Sequence, residues 1–151
     1  MIKEFDENKN INKEKVLVCI TAQSNSTRLI DKGVEIADKI DGELHIIHVL
    51  KGNNVFKNPE TMNLMQKLFI YGGGHGGVIH AFCDDNISGS IINFVKNEKI
   101  TKIILGEPPN IPEKNKKSKK SENQFNLIIK GMPKNVEVII VKREIIMDRL
   151  A

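Results

Sequence analysis

Five short, almost purely apolar runs divide this chain, and an amphipathic stretch separates each from the next. Val16–Thr21 (VLVCIT) opens the series as a nearly continuous β-branched run, the pattern of a strand buried on both faces. Ser24-Asn25-Ser26 follows as a candidate N-cap, and then Leu29, Ile30, Gly33, Ala37 and Ile40 fall on one helical face until Asp41-Gly42 stops it. Strand, capped helix and glycine stop make one βα unit.

The second run is Leu44–Leu50 (LHIIHVL). Asn58-Pro59 then reads as an N-cap with proline in the first turn of a helix, on which Met62, Met65, Leu68 and Phe69 share the buried face. Gly72–Gly77 is expected to break the chain before the third run, Val78–Cys83 (VIHAFC). A helix over roughly Ile87–Asn97 buries Ile91, Phe94 and Val95 and leads into the fourth run, Lys102–Leu105, which Gly106 ends. Beyond it EPPNIPEKNKKSKK has no period and reads as a long loop, of the kind that is usually functional or disordered. Ser121 and Gln124 form a capping box for a short helix carrying Phe125, Ile128 and Ile129, closed by Gly131-Met132-Pro133. Val136–Val141 (VEVIIV) is the last run. Alternating βα units joined by right-handed crossovers predict a doubly wound, Rossmann-like α/β sandwich with five parallel strands. The domain is expected over residues 15–142, with a polar leader at 1–14, a basic loop at 107–121 and a tail at 143–151.

A chain of 151 residues has room for one such domain. Its net charge of +4 raises the question of a polyanionic partner. Five lysines and two glutamates between Glu113 and Glu122 account for +3 of that charge, leaving +1 for the rest. The basic character therefore belongs to one segment and not to a face, which argues against nucleic acid. Residues 1–15 lack the apolar core of a signal peptide and no stretch has the ~20 apolar residues of a membrane helix. A cytoplasmic protein without membrane insertion is the expectation. Cys19 and Cys83 each sit inside an apolar run and read as buried, reduced thiols.

Ligands of open parallel sheets bind beyond the carboxyl ends of the strands, where strand order reverses. Four segments meet that description: Thr21–Ser26, His48–Leu50, Cys83–Asn86 and Gly106 onward. Ser24 and Ser26 offer hydroxyls beside free backbone N–H groups, either as phosphate ligands or as plain helix caps. Tyr71-Gly-Gly-Gly-His75-Gly-Gly runs from helix to strand, the reverse of a phosphate loop, and reads as a connection. His45 and His48 point to opposite faces of a strand, and with His75 and His80 they lack metal-ligand spacing, so no metal is expected. No carboxylate orients His48 toward Thr21 and Ser24 as a hydrolytic set. Catalysis is not expected.

The order VLVCI, ELHIIHVL, NISGSIINFVKNEKITKIILG and VEVIIV resembles the universal stress protein family. It most resembles the universal-stress-protein-like domain of Kdp-type potassium-sensor histidine kinases, with His48-Val49 and the KIILG entry as the most specific parts. The resemblance implies a five-stranded α/β sandwich, an ATP site in many members, and a homodimer through the last strand, paired antiparallel. The family's ATP motif, G-x2-G-x9-G-(S/T), meets Gly106 at its first position, Pro109 at its second and Lys119-Lys120 at its last pair. Proline offers no N–H and lysine resists φ > 0, so the glycine cradle is broken. Ala22-Gln23 replaces the family's acidic residue after the first strand. Kdp-type domains are similar in carrying basic residues in that loop, which implies cyclic di-AMP beside ATP as a ligand, held by Lys114–Lys120 and the serines.

The function expected is a non-catalytic, adenine-nucleotide-binding regulatory domain in stress or potassium and osmotic signalling, with a sensor kinase as a possible signalling partner. Thr21, Ser24 and Ser26 would meet ribose or phosphate, the backbone at Val49 the adenine edge, and Gly106 the closely approaching ligand. Ala22, Gln23, His48, Asp84, Leu105 and Glu107 complete the candidate nucleotide site. A ligand-free dimerisation or docking module is the alternative, and slow ATP hydrolysis ranks third.

Overall fold

The computed structural model describes residues 13–21, 24–51, 59–108 and 116–142. Its elements, in chain order, are β1 (Lys15–Cys19), a short 3-10 turn (Ser24–Ser26) running into α1 (Thr27–Ile40), β2 (Glu43–Leu50), α2 (Pro59–Gly74), β3 (Val78–Cys83), α3 (Ile87–Asn97), β4 (Lys102–Gly106), α4 (Lys116–Gly131) and β5 (Glu137–Val141). The strands form one sheet in the order β3-β2-β1-β4-β5, and every pairing is parallel. The five-stranded parallel α/β architecture read from the apolar runs is the observed one.

Strand period explains the two cores. Val16, Val18, Leu44, Ile46 and Ile104 turn to one face of the sheet, where Leu29, Ile30 and Ala37 of α1 and Met65 and Leu68 of α2 cover them. Leu17, Ile47, Val49, Ile103 and Leu105 turn to the other, under Ile91, Phe94 and Val95 of α3 and Ile128 of α4. Runs such as Val16-Leu17-Val18, each fully buried, lack polar alternation because both sheet faces are roofed by helices.

Several local expectations give way to packing. α2 continues through Gly72–Gly74 instead of breaking at Gly72. A β-carbon at Gly72 would stand 2.3 Å from Cδ1 of Ile46, so that glycine lets the helix lie against β2, and within the 72–77 run it is Gly76, at φ 87°, that makes the left-handed turn. Met62 is 46% exposed rather than buried, because the face of α2 that meets the sheet centres on Met65, Leu68 and Gly72. Cys83 is exposed as well, since β3 is an edge strand, and both cysteines are free thiols. Ser121 does not stand at a helix start, where a capping box belongs: α4 begins at Lys116, and no glycine or proline between there and Ser121 stops the helix from extending upstream. The last six residues of the expected basic loop, 116–121, are thus helix. Asn58 and most of the leader and tail lie outside the described residues.

Candidate functional site

β1 and β4 are neighbours, yet the helices that follow them lie on opposite faces. The chain therefore leaves their carboxyl ends in opposite directions, and a crevice opens between. A cavity of about 520 Å³ fills it. Its inner walls are apolar, from Ile87 and Ile91 of α3, Phe125 and Ile128 of α4, and Cys19, Ile47, Val49 and Leu105 of the strands. Thr21, Ser26, Arg28, His48, Lys51 and Glu107 also line it and supply its polar groups. Mostly apolar walls with a few polar side chains are the usual composition of a small-molecule site.

Hydrogen bonds fix the geometry of that rim. The Ser26 hydroxyl donates to the carbonyl of Thr21 at 2.7 Å, which ties the start of the helix back to the end of β1. Ser26 does precede α1, but its side chain makes no capping bond, contrary to the plain-cap reading. Nδ1 of His48 lies 2.8 Å from the carbonyl of Ile20, which only accepts, so Nδ1 carries the proton. Burial pulls the His48 pKa below its ordinary value, partly opposed by that same bond, and the ring is neutral with an acceptor at Nε2. Nε2 is buried without a partner among the described residues. Burial also raises the Cys19 thiol, which stays protonated and inert beside the cavity.

Of the residues singled out from sequence, Thr21, Ser26, His48, Val49, Leu105, Gly106 and Glu107 come together at the cavity. At Gly106 an added β-carbon would reach only ordinary contact with Leu29, 3.4 Å away, so the absent side chain leaves room above β4 to the cavity. Asp84 is not brought there: its Oδ1 accepts from the backbone N–H of Asn86 at 2.9 Å and shapes the turn into α3. Ser24 lies on the 3-10 turn, and Ala22, Gln23 and Pro109 fall outside the described residues. Arg28, Lys51 and the α3 and α4 walls were missed. Only the amphipathic faces carrying Ile91, Phe125 and Ile128 hinted at those walls, and they read equally well as core. Gln124, expected to cap its own helix, accepts instead from the N–H of Ser88 at 3.1 Å and joins α4 to the first turn of α3.

Among the described residues no group of three or more metal-ligating side chains converges, and no helix is long and apolar enough to cross a membrane. No family model matches the chain. A sensor protein KdpD of Synechocystis sp. is 29% identical over 118 residues, covering 78% of this chain and 28% of the relative. The chain thus spans less than a third of that protein's length. Among solved structures, a universal stress protein from Archaeoglobus fulgidus superposes with a TM-score of 0.66 at 14% identity, covering 90% of this chain and 98% of that one. Another from the same organism, in complex with dAMP, gives 0.62 at 16% identity over 87% and 99%. A third, in complex with cAMP, gives 0.60 at 11% identity over 85% and 95%. The fold is that of the universal stress proteins, and the resemblance read from the strand motifs holds at the level of architecture.

Proposed function

We propose that this chain, with its universal stress protein fold, is a non-catalytic regulatory domain that binds an adenine nucleotide in the crevice between β1 and β4. The observation that carries the reading is the cavity itself, which sits at the point where strand order reverses and is walled by apolar side chains on the scale of a purine ring. Two solved relatives of the same fold are complexes with dAMP and cAMP, which supports the ligand class.

In this reading Phe125, Ile128 and Ile91 flank the base, the backbone at Val49 meets its edge, and Thr21 and Ser26 face ribose or phosphate. Gly106 admits the ligand close to the strand end. ATP and cyclic di-AMP are the candidate ligands, a role in potassium or osmotic signalling draws support from the similarity to a KdpD sensor, and the reading sets the domain in the cytoplasm. The reading includes a homodimer through β5, supported by its open edge, where Ile140 is 43% exposed. Slow ATP hydrolysis has no support in the rim, because the one buried histidine there is oriented by a backbone carbonyl.

Thermal unfolding of the chain with ATP, AMP and cyclic di-AMP tests the proposal. A ligand at a hundred times its dissociation constant stabilises by about 2.7 kcal/mol. No shift with any of the three would sink the nucleotide reading and leave a docking module; phosphate release from ATP above a protein-free blank would overturn the non-catalytic part.

A further inference from the structure

Arg28 stands where the cavity meets the end of the last strand. It lies in the first turn of α1 and lines the cavity, while its Nη1 donates to the carbonyl of Lys142 at 2.9 Å, one residue past the end of β5. The end of β5 is drawn to the same place from the other side, because the N–H of Glu107, a cavity residue, donates to the carbonyl of Val141 at 3.0 Å. A guanidinium carries five N–H donors in a rigid fork. The neutral carbonyl of Lys142 occupies one of them and is a weaker partner than an anion, which adds charge attraction and can accept from two donors of the fork at once. A second observation marks the same cavity as built for a ligand: His48 is 7% exposed and turns an unpartnered acceptor, Nε2, on a ring that lines it.

We propose that Arg28 binds the anionic group of the cavity's ligand and, by exchanging the Lys142 carbonyl for that anion, reports occupancy to the end of β5. The inference rests on the nucleotide reading for the rest of the ligand, but the anion site does not depend on it. It assigns the phosphate to a side chain from α1, on the opposite side of the crevice from the segment where a glycine cradle would lie. The output is release of the chain at the point where it leaves the sheet.

The test titrates the full chain calorimetrically with adenosine, AMP and inorganic pyrophosphate, and follows tryptic cleavage after Lys142 with and without each. Arg28→Gln removes the charge; Arg28→Lys keeps the charge without the fork and guards against a folding artefact. The expected result is that the preference for AMP over adenosine falls roughly 10-fold or more in Arg28→Gln and by less in Arg28→Lys. AMP should speed cleavage after Lys142 in the native sequence, and the unliganded Gln variant should be cut at that faster rate already. A Gln variant that keeps the native preference for AMP overturns the anion site. AMP binding with no change in cleavage overturns the coupling. If pyrophosphate binds in an Arg28-dependent way and neither adenosine nor AMP binds, the nucleotide reading fails while Arg28 stands. Binding by none of the three removes both.

Discussion

Nδ1 of His45 and Nε2 of His80 lie 2.9 Å apart, so an imidazole on β2 and one on the edge strand β3 share a hydrogen bond across the sheet. Nε2 of His45 is 3.2 Å from Oε1 of Glu43 and donates to it. That leaves Nδ1 of His45 to accept, and His80 to donate from Nε2. The pair closes the margin of the sheet, with the Phe94 ring 4.5 Å from that of His80, between centroids.

A pH dependence follows from this arrangement. Burial, and then the neighbouring His45, hold the His80 pKa below its ordinary 6.5, with Glu98 pulling the other way. Burial lowers His48 as well. For both groups the unfolded chain binds protons that the fold does not, so stability rises with pH through this range. It should be fully present above 6.5 and be lost progressively as pH falls through 6.5 toward the lower folded values. Urea midpoints between about pH 7.5 and about pH 5 should fall, and His80→Gln should flatten the slope. An unchanged slope in that variant would place the effect elsewhere.

Two glycine-to-alanine substitutions should have opposite signs. A β-carbon at Gly33 would stand 2.4 Å from Cγ2 of Val18 and 3.0 Å from Cδ1 of Leu44, so Gly33→Ala should destabilise by about 1–3 kcal/mol despite the better helix propensity. At Gly73, inside α2, nothing lies within 4 Å, and Gly73→Ala should stabilise by up to about 1 kcal/mol. Denaturant midpoints of the two variants check both signs.

Asn86 and Ser26 both precede helices and should respond differently to the same exchange. The Asn86 side chain accepts from the N–H of Gly89 at 3.0 Å, a true N-cap, so Asn86→Ala should cost about 1 kcal/mol and Asn86→Ser should restore most of it. Ser26 clamps a loop from a site only 2% exposed. Ser26→Ala should cost about 1 kcal/mol, but Ser26→Asn, an equally good cap by type, should cost more because the site has no room. Equal rescue at both positions would mean that Ser26 acts as a cap after all.

Phe125 tests the apolar wall. It is half-buried and lines the cavity, so Phe125→Ala should weaken adenosine binding about 10-fold while lowering stability by less than the roughly 3–5 kcal/mol of a fully buried phenylalanine. Unchanged affinity with lost stability would make this wall core rather than site.

Strand identity and sheet type were legible because Val16–Val18 and Ile103–Leu105 are uninterrupted apolar runs and Leu44–Val49 is apolar but for two histidines, the pattern of a sheet covered on both faces. The strand-end rule then located Thr21, His48 and Gly106 without any view of the cavity, since chain direction and strand order settle where a crevice opens. Everything that depends on which helix meets which was not legible. Met62 and Met65 have the same chemistry three residues apart, and only the seating of α2 against Ile46, through Gly72, decides that one is exposed and the other buried. Gln124 serves Ser88 and not its own helix end, and Arg28 reaches a carbonyl 114 positions away. Local propensity and period act over a few residues and determine the elements of this protein. Contacts between side chains far apart in the chain exist only once those elements are packed, so the walls of the cavity, the histidine pair and the Arg28 link belong to the tertiary structure alone.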